Sequence, residues 1–241
     1  MSSTKVGLFF LVEQHIIKLT YYIVGETIPG GIPMSECYEI ALPILPETAN
    51  LQLADPSLVN FYSDLQNRTY WLNDEINNYT FDLVQYIIRW NREDAGIPIE
   101  ERKPIRIIVD CGGGHLSVSE TVSNIIKMSK TPVYGIALGC AASGASVIYL
   151  SCHKRFALPN SVFILHKGSC SGVSGTYDEI VAFARDYEKQ IETLIEFYIN
   201  HTKYTEAEIE ENIQTDWYIR TEEAVEKGIV DEIITDIDIF C

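Results

Sequence analysis

A chain of 241 residues, 46% hydrophobic and 22% charged, is long enough to bury a sizeable core without disulfide or metal staples. Its formal charge of −16 argues against nucleic-acid backbones and anionic membranes as partners, because phosphate contacts need clustered Lys and Arg. No segment reaches the roughly 18 apolar residues of a membrane helix.

Residues 1–54 read as an N-terminal extension. Gly7 to Val12 is apolar, but Glu13, Gln14 and His15 interrupt it and no small-residue cleavage site follows closely, so it does not read as a signal peptide. The expected location is cytoplasmic. Ile16 to Val24 is β-branched and aromatic, Pro29-Gly30-Gly31 marks a turn, and Leu42 to Pro46 is extended because its prolines resist a helix. An edge hairpin, a flap and a partner-binding arm all fit this extension.

Residues 56–66 predict a helix with Asp55 as N-cap, Pro56 at N1, and Leu58, Val59, Tyr62 and Leu65 on one face. A second helix is predicted over 80–92, with Thr80 as N-cap and Phe81, Val84, Ile87 and Ile88 inward. A polar loop leads to the β-branched strand Ile105–Val109 and then to Asp110-Cys111-Gly112-Gly113-Gly114-His115. Three consecutive glycines cost backbone entropy and offer nothing to pack. They make sense where N–H groups must face a ligand or an oxyanion. The run lacks the Lys-Ser/Thr of a P-loop and the spacing of a dinucleotide fingerprint.

A helix over 120–129, with Val122, Ile125, Ile126 and Met128, precedes the strand Val133–Leu138. Next comes Gly139-Cys140-Ala141-Ala142-Ser143-Gly144-Ala145, read as a tight turn into a helix ending at Leu150. A serine at such a junction can present its hydroxyl beside helix N-terminal N–H groups, and small neighbours admit a carbonyl substrate. His166 ends a further strand, Val162–Leu165, where it is placed to act as a base. Strands alternating with helices imply βαβ-type units. After a Gly- and Ser-rich stretch, residues 177–202 form the longest periodic segment, with Ile180, Ala184, Tyr187, Ile191, Leu194 and Tyr198 recurring every three or four residues. An intramolecular and an intermolecular cover for this stripe are equally consistent with the pattern.

The six cysteines, Cys37, Cys111, Cys140, Cys152, Cys170 and Cys241, contain no C-x-x-C pair and no neighbouring His spacing, so no metal site is expected. They read as unpaired thiols, with Cys111 and Cys140 as small space-fillers beside the site.

Taken in order, these motifs resemble the proteolytic subunit of Clp protease. Arg68 to Leu72 fits that family's opening strand, Asp110 to Gly114 its N-S-P-G-G segment, and Gly139 to Ser143 its G-x-A-A-S motif. Leu158 to His166 is similar to L-P-N-S-x-x-x-x-H, and Asp216 to Ala224 with Gly228 to Asp231 is similar to its tail. The resemblance runs over roughly residues 55 to 236. It implies a crotonase-like α/β fold of stacked ββα units, with a Clp-type serine peptidase domain over 55–241. It also implies Ser143 as nucleophile, His166 as general base, Asp216 as the carboxylate that orients it, and Gly114 and Gly144 as oxyanion donors. No cofactor is implied. The substrates implied are peptides or unfolded proteins, with an AAA+ unfoldase as partner because the chain has no ATP-binding motif. A homo-oligomeric ring of seven subunits is implied as well.

The chain departs from the family pattern at Cys111, Gly112, Gly144, Lys167-Gly168 and Gln214-Thr215. The last pair replaces an Asp-Arg that helps the family stack two rings, so stacking stays open. Three other readings compete. The first is a crotonase-fold acyl-CoA enzyme, which does not need a Ser-His-Asp set. The second is a Ser-Lys dyad using Lys154 or Lys167, which leaves His166 and Asp216 unexplained. The third is a non-catalytic ring or scaffold subunit.

Overall fold

The computed structural model describes residues 6–13, 16–23, 37–43 and 56–240. The chain divides into two units, Met1–Val59 and Asn60–Cys241. In the first, β1 (Val6–Glu13), β2 (Ile16–Ile23) and β3 (Cys37–Pro43) form an antiparallel sheet in that order. The apolar stretch from Gly7 to Val12 is thus part of β1. The expected turn at Pro29-Gly30-Gly31 and the Asp55 cap lie outside the described residues.

From α1 (Pro56–Gln66) the chain enters the second unit, which holds a seven-stranded sheet. Its strands are β4 (Thr69–Leu72), β5 (Ile105–Cys111), β6 (Val133–Ala142), β7 (Lys154–Ala157), β8 (Val162–Leu165), β9 (Trp217–Arg220) and β10 (Glu232–Ile233). The main path runs β10-β7-β6-β5-β4, all parallel. Ile107 and Val109 enter one core cluster and Ile108 another, so β5 is covered on both faces. That is why it reads as an unbroken apolar run.

Strand β6 is longer than predicted and, besides β5, serves two neighbours. Tyr134 to Ala137 pairs with β7, and Cys140 to Ala142 pairs with β8. The split falls at Gly139. A side chain there would meet the Asp110 carboxylate at 2.6 Å, and Asp110 Oδ1 accepts the Cys140 N–H at 2.9 Å. The segment from Gly139 to Ala142, predicted as a turn, is therefore strand, and the turn is confined to Ser143. Strand β9 then pairs antiparallel with β8.

The helices of this unit are α2 (Phe81–Glu93), α3 (Leu116–Met128), α4 (Gly144–Leu150), α5 (Tyr177–His201), α6 (Glu206–Asn212) and α7 (Thr221–Glu226). Every residue of α4 is buried. In α2 the buried positions are Leu83, Ile87 and Trp90, whereas Phe81 and Val84 are half-buried and Ile88 is exposed. The Thr80 side chain does not cap α2; its hydroxyl accepts the Asn77 N–H at 3.2 Å and closes the preceding 3-10 turn. Met128 is exposed, as are Leu58, Val59 and Tyr62 of α1. Along α5 only Leu194 and Tyr198 are buried, so the apolar stripe of its first half is left on the surface of this chain.

Candidate active site

The sheet register alone gathers three distant residues at one edge. Ala142 pairs with Ile164 in the parallel β6–β8 ladder, so Ser143 and His166 leave adjacent strand ends. Leu165 pairs with Trp217 in the antiparallel β8–β9 ladder, so His166 and Asp216 are the next residues out on either side. Asp216 Oδ1 lies 3.2 Å from His166 Nδ1. The other ring nitrogen, Nε2, is buried and has no hydrogen-bond partner among the described residues. Ser143 and His166 make no hydrogen bond with each other there, but both line one cleft of about 550 Å³.

Ser143 has φ 53° and ψ −125°, a conformation that a side-chain-bearing residue adopts only under constraint. Its N–H donates to the Ile164 carbonyl at 2.8 Å, and its carbonyl accepts the Ser146 hydroxyl at 2.6 Å and the Ser146 N–H at 3.0 Å. Both sides of the turn are thereby pinned, one by the sheet and one by the first turn of α4. This strand-to-helix serine has the form of a nucleophile elbow.

The glycine run packs under that turn. Gly113 has φ 102°, and a side chain on it would meet Ser143 Cβ at 2.7 Å and the Ala142 carbonyl at 2.8 Å. A side chain on Gly114 would enter the backbone of Ile76, with which Gly114 forms an isolated parallel bridge. Within that bridge the Gly113 carbonyl accepts the Ile76 N–H and the Ile76 carbonyl accepts the His115 N–H, at 2.8 and 2.9 Å. The N–H groups of Gly114 and Gly144 take no part in the described hydrogen bonds, and both residues line the cleft. Cys111 acts as a buried spacer: its thiol donates to the Asp74 carbonyl at 3.0 Å and accepts the Gly113 N–H at 3.3 Å. Burial pushes the Cys111 and Cys140 thiols above their usual range.

Two features escaped the sequence reading. Tyr198, read only as a stripe residue, is almost wholly buried and lines the cleft. Burial pushes its hydroxyl up to about 12, against the opposing influence of the Ser146 hydroxyl and the His166 backbone N–H. Its signal in the sequence, a tyrosine on an apolar helical stripe, does not tell a core residue from a cleft residue. The second feature is the side-chain pair Lys167–Gln214, at 2.9 Å. With Lys167 there and Lys154 bound to Glu232 at 3.1 Å, both lysines of the alternative dyad have other partners. Among the described residues, Cys111, Cys140, Cys152 and Cys170 are free thiols, no cluster of His, Cys, Asp or Glu could hold a metal, and no helix is long and apolar enough to cross a membrane.

A mostly parallel α/β sheet that brings a strained serine, a histidine and a carboxylate together at neighbouring strand ends has the form of a serine-hydrolase scaffold. The chain belongs to the Clp protease family, whose model matches residues 58–236. The ATP-dependent Clp protease proteolytic subunit 2 of Treponema denticola is 32% identical over 133 residues, 54% of this chain and 66% of that protein. The chain therefore spans just under two thirds of that relative's length. The corresponding subunit 2 of Treponema pallidum is 29% identical over 178 residues, covering 73% of this chain and 86% of the relative. A solved mutant of ClpP1 from Listeria monocytogenes superposes with a TM-score of 0.64 at 25% identity, over 76% of this chain and 99% of that one.

Proposed function

We propose that residues 55–241 form a serine endopeptidase domain that cleaves peptides and unfolded proteins. The carrying observation is the contact of Asp216 with His166 Nδ1, which leaves Nε2 unpartnered in the cleft that Ser143 lines. With Nδ1–H donating to Asp216, Nε2 carries the lone pair a general base needs. His166 takes the Ser143 proton as the hydroxyl oxygen attacks the peptide carbonyl. The N–H groups of Gly114 and Gly144 receive the oxyanion. Collapse of the tetrahedral adduct passes the proton from His166 to the leaving amine and leaves an acyl-serine. Water, deprotonated by His166, then releases the acid and restores Ser143. Closure of the Ser143–His166 hydrogen bond accompanies substrate binding, since such bonds are often loose without substrate.

The chain supplies peptide hydrolysis without ATP. The reading places it in a cytoplasmic homo-oligomeric ring, with an AAA+ unfoldase delivering long substrates and residues 1–54 as an extension outside the catalytic domain. A non-catalytic ring subunit is the second reading, favoured by the absence of a Ser143–His166 hydrogen bond. A fluorophosphonate probe separates them. Covalent labelling at Ser143, lost in Ser143→Ala, supports the peptidase; folded protein that resists the probe and hydrolyses no peptide supports the non-catalytic subunit.

A further inference from the structure

His166 and Asp216 lie beyond the last rung of the β8–β9 ladder, so no sheet hydrogen bond holds them together. Asp216 is also half exposed, and the residues just before it are exposed. A surface carboxylate on an unpaired strand end would sample many positions. Three bonds restrain the stretch that leads to it, two made by the Gln214 side chain and one by the Ile213 carbonyl. Gln214 Oε1 accepts Lys167 Nζ at 2.9 Å, and its Nε2 donates to the Glu210 carbonyl in α6 at 2.7 Å. One residue earlier, the Ile213 carbonyl accepts the Lys167 N–H at 3.3 Å. Lys167 directly follows His166, and Gln214 stands two residues before Asp216.

We infer that Lys167 and Gln214 are positioning residues, a strap that fixes the end of β8 to the start of β9 and so sets the His166–Asp216 contact. The inference rests on the serine-peptidase reading of the site. An amide suits the position because one group must accept from an ammonium and donate to a carbonyl at once, which neither a carboxylate nor an ammonium does. The strap lies at the surface, where such pairs contribute little to global stability. Its effect should therefore appear in the alignment of the catalytic pair and not in the folding of the chain.

The test is steady-state hydrolysis of a fluorogenic peptide by the full-length chain. Displacing a catalytic group by about an ångström costs up to about a hundredfold, so Gln214→Leu and Lys167→Met should each lower kcat by about tenfold. In Gln214→Leu KM should stay within about twofold, because positioning of the base acts on the transition state and not on substrate binding, whereas Lys167 lines the cleft and its variant is read through kcat. The melting temperature should not move. The double variant should be no slower than the slower single variant, since both remove one device. Gln214→Glu, which keeps an acceptor for Lys167 but loses the donor to the Glu210 carbonyl, should fall between Gln214→Leu and wild type in kcat. An unchanged kcat in Gln214→Leu, a loss confined to KM, or losses that multiply in the double variant would each overturn the strap. Undiminished hydrolysis by Ser143→Ala is a separate outcome: it overturns the peptidase reading itself and the strap with it.

Discussion

His166 and Asp216 meet one step beyond the rung formed by Leu165 and Trp217, with Nδ1 and Oδ1 3.2 Å apart. On the proposed serine-peptidase reading this contact would select the ring tautomer, with the Nδ1 proton facing the carboxylate and Nε2 left as the acceptor. Asp216→Asn keeps the size and loses this selection. Peptide hydrolysis should fall by about two to four orders of magnitude. The melting temperature should stay near wild type, since the Asp216 side chain is 54% exposed. Comparable kcat in wild type and Asp216→Asn would remove Asp216 from the site.

The glycines of the loop after β5 are not equivalent. Gly113 sits at φ 102° with Ser143 and Ala142 within 3 Å of where a side chain would begin, whereas nothing lies within 4 Å of that point at Gly112. Gly113→Ala should destabilise the fold by about 1–3 kcal/mol through backbone strain and displace the Ser143 turn. Gly112→Ala should be close to neutral. Urea melts and probe labelling of the two variants check the contrast; equal behaviour would show that the loop has slack.

Legibility in the sequence followed the range of the interactions involved. Strands β5 and β8 and helix α5 could be read because their apolar patterns are local and long enough to be distinctive. Strands β7 and β9 could not, since four residues such as Lys154-Arg155-Phe156-Ala157 become a strand only through their neighbours. The extension of β6 to Ala142 was hidden for a related reason. Gly139 and Cys140 look like a turn, and a carboxylate 30 residues away at Asp110 makes them strand. Within the site, Ser143, His166 and Asp216 stood out by motif order. Gln214 showed only as a departure from the family pattern, and Lys167 as a departure and as a lysine of the alternative dyad, because their pairing spans 47 residues.

Asp94 should anchor the loop between α2 and β5. It is buried, receives both terminal nitrogens of Arg68 at 2.7 Å, and accepts the Thr131 hydroxyl at 2.7 Å. The hydrogen bond from Arg68, aided by that from Thr131, holds its carboxyl below the usual range against the cost of burial. A carboxylate depressed in the folded state contributes stability that is present above its unfolded value, about 3.9, and lost as pH falls through the lower folded value. Asp94→Asn, which leaves the Arg68 charge only the more distant Glu93 carboxylate at 3.6 Å, should cost up to about 3 kcal/mol at pH 7. The gap between wild type and variant should narrow below about pH 4 as Asp94 itself is protonated. Urea denaturation at pH 7 and pH 3 checks both statements; a gap that widens in acid would contradict the assignment.

Thiol reactivity should separate the cysteines by position. Cys152 is buried and its thiol is pushed up to about 12, and burial raises Cys111 and Cys140 as well. Cys170 is exposed and lines the cleft with Ser143 and His166. Among these four, Cys170 should be alkylated first, because the thiolate is the reacting species and access is required. A bulky maleimide there should slow peptide hydrolysis, and Cys170→Ser should abolish that inhibition. Peptide mapping after brief labelling identifies the site; first modification at Cys152 would contradict the described burial.

Assembly should be governed by apolar surface. Tyr177, Ile180 and Phe183 on the first half of α5 are 80%, 43% and 40% exposed, and Leu58, Val59 and Tyr62 of α1 are exposed too. Apolar faces of this kind mark contacts with other molecules, and closed cyclic symmetry covers them with copies of the same chain. A homo-oligomeric ring, of seven subunits by family resemblance, is the expected species. Should two rings join through α5, the contact would gain little from charge at Gln214. That side chain is uncharged and already bonded within its own chain to Lys167 and Glu210. Salt screens exposed charge pairs far more than apolar burial, with a Debye length of about 10 Å at 0.1 M. Light scattering across a salt series should therefore return a constant mass, and Ile180→Glu with Phe183→Glu should reduce it. A monomer at micromolar concentration would sink the ring, and a mass that falls as salt rises would show that charge, not the α5 stripe, joins the copies.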